Sequence, residues 1–167
     1  MILGMSTEAF TTLHVLISLI GIVSGIAVAL ALGAGLLLPA SNALFLTTTI
    51  LTSVTGFMFH SRMVGPPHVV GAISLLVLAI ALIALYVQHL KGPWRGIYIV
   101  TALFALYLNC FVGVVQAFQK LPFLRALAPT QKEPPFLVAQ LLLLVLFVVV
   151  GVVALKRFPA PKVRGVI

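Results

Sequence analysis

Phe136-Leu-Val-Ala-Gln-Leu-Leu-Leu-Leu-Val-Leu-Phe-Val-Val-Val-Gly-Val-Val-Ala-Leu155 is a run of twenty residues without a single charge. As a helix it covers the ~30 Å hydrocarbon core of a bilayer at about 1.5 Å per residue. From Leu141 to Leu155 it is apolar on every side and carries no polar stripe, so such a helix has no face meant for water. Its surface is expected to meet lipid or another subunit.

Working outward from it, four further apolar runs precede it, over 10–38, 43–60, 68–90 and 96–119. They are punctuated by Pro39-Ala40-Ser41-Asn42, by Ser61-Arg62 with Gly65-Pro66-Pro67, and by Lys91-Gly92-Pro93, where proline and glycine break helices. With 62% hydrophobic and 7% charged residues in 167, against roughly a quarter charged in soluble domains, no soluble fold hides this much apolar surface. The pattern predicts an all-α, polytopic transmembrane helix bundle of about five spans, forming one domain over 1–167. The run 43–60 is the shortest at 18 residues, so four spans with one re-entrant segment is the alternative.

The net charge of +8 does not point to nucleic acid, because the basic residues are scattered between apolar runs and cluster only at Lys156, Arg157, Lys162 and Arg164. A basic stretch beside a last span faces lipid headgroups. With five spans the termini lie on opposite sides, the N-terminus on side A and the C-terminus on side B. Side B then holds Lys91, Arg95, Lys156, Arg157, Lys162 and Arg164, and side A holds Arg62, Lys120, Arg125 and Lys132. Counting Lys and Arg makes side B cytoplasmic and leaves the N-terminus outside. The first run is longer than a signal-peptide core and has no basic residue before it, so it is expected to stay attached as a span.

Helical spacing sorts polar and small residues onto faces. His14, Ser18, Gly21, Gly25, Ala29 and Gly33 form one small face, which includes the GxxxG pair Gly21 and Gly25. Small residues let backbones approach where lipid offers no hydrophobic driving force. Packing within the bundle is the expectation, with a homodimer seam as the alternative. The second run carries Thr49, Ser53, Gly56 and His60 on one face, flanked by Thr48, Thr52 and Thr55. Such hydroxyls are able to satisfy themselves on the carbonyl one turn back. The fourth run aligns Tyr98, Thr101, Ala105, Asn109, Gly113, Gln116 and Lys120. Asn109, near mid-span, is the costliest to leave unpaired and is expected to bond to the threonine face of the second run.

His14, His60 and His68 lie at one depth near side A. Imidazoles on separate helices suit a metal or a haem iron, which makes haem b or copper, the latter with Met58 and Met63 nearby, the cofactors to test. No two ligands share a helical turn as in H-x-x-x-H, so the plainer expectation is hydrogen bonding at the interface. The only carboxylates are Glu8 and Glu133, and the chain has no aspartate. No Ser-His-Asp set, P-loop, GxGxxG or paired carboxylate exists, and no span carries an ionisable residue at its middle, which disfavours an enzyme and a classical pump. Cys110 stands alone, which excludes an intrachain disulfide and suits a small buried hydrophobe. The connection 120–135 mixes Leu121, Phe123, Leu124 and Leu127 with Lys120, Arg125 and Lys132 and predicts a short interfacial helix.

The stretch from Tyr107 to Phe136, with Leu51-Thr-Ser-Val-Thr-Gly-Phe57 before it, resembles an uncharacterised family of small bacterial multi-pass membrane proteins to which no activity is attached. The resemblance implies a bacterial inner membrane and carries no chemistry. The function expected is a non-enzymatic membrane component. It would bind a partner subunit or lipophilic ligand at its non-cytoplasmic face through His14, His60, His68, Asn109, Gln116, Gln119 and Glu133. The alternatives are a small haem- or metal-binding redox protein using His14 with His60 or His68, and a channel or transporter. Its expected surroundings are the lipid bilayer and other membrane subunits or further copies of itself.

Overall fold

The computed structural model describes residue 2, residues 4–59 and residues 65–158. Among these residues all regular structure is helical: α1 Thr7–Gly33, α2 Pro39–Phe57, α3 Pro66–Leu82 running on as a π-helical turn Ile83–Val87, α4 Trp94–Lys120, α5 Pro122–Leu127 and α6 Pro134–Arg157. Four of these, α1, α3 with its π turn, α4 and α6, are long and apolar enough to cross a membrane. The chain is an all-α membrane helix bundle.

Proline starts helices here rather than only ending them. It occupies the first turn of α2, α3, α5 and α6, where its missing N–H would be unpaired in any case. The second helix therefore begins at Pro39 and not at 43, which brings Asn42, read from sequence as a turn residue, inside α2. The first helix stops at Gly33 instead of 38. Gly35 sits at φ 77°, its N–H bonds to the Leu32 carbonyl at 3.0 Å and the Leu36 N–H to that of Ala31 at 2.8 Å. Those two bonds are the Schellman helix end that glycine favours. Leu36, Leu37 and Leu38 continue the apolar run, so hydropathy does not register the stop.

The bundle is built as an antiparallel α1/α2 hairpin onto which α3, α4 and α6 pack, with α4 touching each of the other helices. Helix α2 is the one long helix outside the span-capable four, and its packing explains why. Its polar residues Asn42, Thr48, Thr49 and Ser53 turn inward with Phe45 and Leu46, while Leu44, Leu51, Val54 and Phe57 are exposed. Averaged hydropathy mixes the two faces. Its contacts run along the bundle: Asn42 meets Tyr98 near side B, Phe45 meets Gly25, Thr48 and Thr49 reach Gly21, and Thr55 meets His14 near side A.

The two ends of the bundle are packed differently. Toward side B one continuous core joins Val28, Leu32, Phe45, Leu46, Leu78, Tyr98, Ile99, Leu106 and Phe158. Gly25 is what allows α1, α2 and α4 to close there, since a Cβ on it would stand 2.5 Å from Leu106 and 2.8 Å from Phe45. The Tyr98 hydroxyl donates to Asn42 Oδ1 inside this core. Arg95 donates to the carbonyls of Leu155 and Phe158, which are orphan acceptors at the negative end of α6. Toward side A, α3 parts from the bundle: none of its residues from Pro66 to Ile73 is buried, whereas Ser74, Leu78 and Ala81 are.

Candidate functional site

The parting of α3 leaves a cavity of ≈ 110 Å³ between α1, α2, α3 and α4, lined among others by His14, Thr49, Thr52, Ser53, His68, Ser74 and Asn109. Its outer rim includes Phe57 and Pro67, both exposed. The Phe57 ring lies against Gly71, where a Cβ would come within 3.0 Å, and tilts toward the His68 ring at 5.7 Å between centroids.

Most hydroxyls in the spans look after themselves. Ser18, Ser24, Thr48, Ser53, Thr55 and Thr101 each bond to a carbonyl one turn back, as expected for hydroxyls in apolar helices. Thr49 Oγ1 and Thr52 Oγ1 do not, and with Asn109 Nδ2 they are buried without a hydrogen-bond partner. All three residues line the cavity. The expected bond from Asn109 to the threonine face is therefore not made, although the groups do converge. A Cβ on Gly21 would lie 3.2 Å from Asn109 Nδ2, from Thr48 Oγ1 and from Thr49 Oγ1 alike. Thr48 spends its hydrogen on the Leu44 carbonyl at 2.7 Å, and Thr49 stays unpaired beside the amide.

The two described histidines of the cavity are each tied at Nδ1. His14 Nδ1 shares a 2.7 Å hydrogen bond with the Thr55 hydroxyl, which also lies 2.7 Å from the Leu51 carbonyl. His68 Nδ1 accepts from the Gly65 N–H at 3.3 Å, in the manner of the returning half of a capping box. His60 and Met63 lie outside the described residues. Among the described residues no three His, Cys, Asp or Glu side chains come together as a metal site.

Gln116, Gln119 and Glu133 are placed elsewhere. Gln116 bonds to Gln119 at 3.5 Å, Gln119 to Gln131 at 3.3 Å, and Gln131 to the Val115 carbonyl at 2.9 Å, an amide ladder that ties the loop after α5 onto α4. Glu133 receives the Thr130 hydroxyl at 2.9 Å and the backbone N–H groups of Thr130 and Lys132. Desolvation pushes its carboxyl up, but the bonds from Thr130, from its own backbone and from Lys132 together outweigh this and lower it from the ordinary carboxylate value. A second hollow of ≈ 380 Å³ lies beside this loop, between Phe118, Gln119, Arg125 and Gln131. Its amides are already paired with one another, so the first cavity is the better candidate.

The small face of α1 is used inside the chain. Gly21 and Gly25 face α2 and α4, Ala29 is buried in the core, and Gly33 faces Val153 of α6. Sequence reasoning did not single out Phe57, Gly71 or Ser74. Ser74 carried a signal, being the one hydroxyl inside the apolar run of α3, and its hydroxyl shares a 3.1 Å hydrogen bond with that of Ser53 across the cavity wall. Gln140 was also missed; its Nε2 donates to the Phe111 carbonyl at 3.3 Å, and its Oε1 is buried without a partner.

No family model, no curated protein and no solved structure matches the chain.

Proposed function

We propose that the chain is a non-enzymatic component of a bacterial inner membrane, crossing it five times, that holds a lipophilic ligand with the ligand's polar end in the cavity near side A. The observation that carries this is the set of three unpartnered polar atoms, Thr49 Oγ1, Thr52 Oγ1 and Asn109 Nδ2, gathered on one cavity. In hydrocarbon each such group costs free energy until something bonds to it. The six basic residues assigned to side B against four on side A support a cytoplasmic side B, which puts the cavity in the non-cytoplasmic half.

The test is to purify the protein in mild detergent and identify by mass spectrometry the lipophiles that accompany it. A near-stoichiometric lipophile is expected, lost from Thr52→Phe, which fills the cavity. A protein free of lipophile, or one whose lipophile survives that substitution, sinks the reading. A Soret band in the same preparation, lost in His14→Ala and His68→Ala, would move the assignment to haem.

A further inference from the structure

We infer that the cavity recognises an uncharged carbonyl oxygen on its ligand, with Asn109 Nδ2 and the Thr49 hydroxyl as the donors; this rests on the ligand-binding reading above. The inventory of unmet groups leads to it. Asn109 Nδ2 supplies only N–H donors, and each threonine adds one O–H, so the unpartnered set is rich in hydrogens. A ligand hydroxyl would accept with its two lone pairs but bring a further hydrogen to be placed, whereas a carbonyl brings none. Thr49 is 1% exposed, so its hydroxyl has no recourse to bulk water. An acceptor with two lone pairs placed between Asn109 and Thr49 answers both. An anion would supply lone pairs too, but among the described residues no Lys or Arg lines the cavity, and an uncompensated charge at this depth is strongly disfavoured.

Size limits what enters. A space of ≈ 110 Å³ is smaller than the roughly 150 Å³ cavity known to hold a benzene, so a carbonyl and the few atoms next to it are enclosed. The rest of the ligand lies out past Phe57 and Pro67, where α3 parts from the bundle. His14 lines the same cavity and is placed to meet a hydroxyl if the ligand carries one. A ring ketone of quinone type and the ester carbonyl of a bilayer lipid share this chemistry.

A buried hydroxyl kept without a partner lowers the stability of the empty protein. If Thr49 is there for a ligand, its near-isosteric replacement by valine should have opposite effects on the two states. The experiment titrates detergent-purified wild type, Thr49→Val and Asn109→Leu with a decyl-substituted benzoquinone and with dioleoylglycerol. Decylbenzene serves as the carbonyl-free control, and binding heat and the carbonyl stretching band are followed. The expected result is binding of at least one carbonyl probe with a lowered stretching frequency, weakened about tenfold or more by either substitution, with no binding of decylbenzene. Ligand-free Thr49→Val should melt at or above the wild-type temperature. Binding of the quinone alone assigns a ring ketone, and binding of the glyceride alone assigns a bilayer ester. Equal binding of decylbenzene, unchanged affinity in Asn109→Leu, or no binding of either probe overturns the carbonyl assignment. A lipophile that still co-purifies and is displaced by Thr52→Phe would leave the broader function standing.

Discussion

The side-B half and the side-A half of this bundle are made of the same five helices, yet they solve the problem of polar groups in hydrocarbon in opposite ways. In the side-B half Asn42 is 1% exposed and takes the hydroxyl of Tyr98, and Tyr98 belongs to the same buried core as Phe45, Leu46, Ile99 and Leu106. In the side-A half Asn109, about 1.7 turns of α4 beyond Leu103, has its amide nitrogen unpaired beside two unpaired threonines. The difference lies in α3, whose buried contacts begin only at Ser74. Where α3 is close, polar groups are paired; where it parts, they face a cavity. Open donors in hydrocarbon cost free energy until something bonds to them, and that is why the proposed function is placed in the looser half.

The strongest way to break this contrast is to remove large side chains from each half. Tyr98→Ala opens a cavity in a fully buried site and orphans Asn42, and should cost about 3–5 kcal/mol. Phe57→Ala, at a residue 41% exposed on the cavity rim, should cost about 1 kcal/mol or less. Thermal unfolding of the two variants in one detergent measures both. Equal losses would mean that the rim is as tightly packed as the core.

Glycines give a smaller but cleaner version. Gly25→Ala forces a Cβ to 2.5–2.9 Å of Leu106 and Phe45, and because the Phe45 ring is 1% exposed it has little room to move. Overpacking of this kind costs about 1–3 kcal/mol. Gly113→Ala, on α4 toward side A, meets only Ile22 at 3.7 Å, an ordinary contact. It should leave stability unchanged or raise it by up to about 1 kcal/mol through helix propensity. Melting temperatures that move in the same direction would erase the distinction between the halves.

These contrasts show which parts of the structure are legible in the chain. The apolar runs announce the helices, because crossing hydrocarbon demands about 20 apolar residues in a row, and the GxxxG face of α1 announces close packing. The Thr49 face of α2 and the Asn109 face of α4 are also visible as spacing, and they do converge around Gly21. Whether converging groups bond is not visible, since it depends on separations of less than an ångström. Thr48 and Thr49 are neighbours of the same type; one bonds to its own helix and the other does not. The pair Asn42 and Tyr98 was hidden for another reason: Asn42 follows Pro39 in a stretch that reads as a turn, and only the helix start at Pro39 turns it inward. The cavity itself arises from the parting of α3, and no residue pattern in 66–73 marks that.

Gln140 tests whether an unpaired atom alone signals function. Its Oε1 is buried and unpartnered like the atoms of the cavity, but its Nε2 is engaged with the Phe111 carbonyl, and Gln140 does not line the cavity. Gln140→Leu gives up one bond and one orphan together, and should shift stability by less than about 1 kcal/mol in either direction. It should leave ligand binding as it was. Lost binding in Gln140→Leu, measured by the same titration, would extend the site to the α4/α6 seam.

The smallest expected effect concerns the loop at the side-A end. Glu133 is held below the ordinary carboxylate value of 4.5 by its bonds from Thr130 and Lys132. A carboxyl with a lowered folded value adds stability that is present above its unfolded value and disappears as pH falls through the folded one. The order gained by the loop should therefore be full near neutral pH and fade only as acid carries the protein below that carboxylate range. Hydrogen exchange of the Thr130 and Lys132 amides, which both point at this carboxylate, reads the change directly, after correction for the intrinsic pH dependence of exchange. Glu133→Gln should show the weaker protection at every pH, with no acid transition. The melting temperature of the bundle should hardly move, because the loop is tied down separately by Gln131 on Val115 and the side-B core does not reach it. An acid transition that instead loosened the whole bundle would show that the two halves are coupled through this loop.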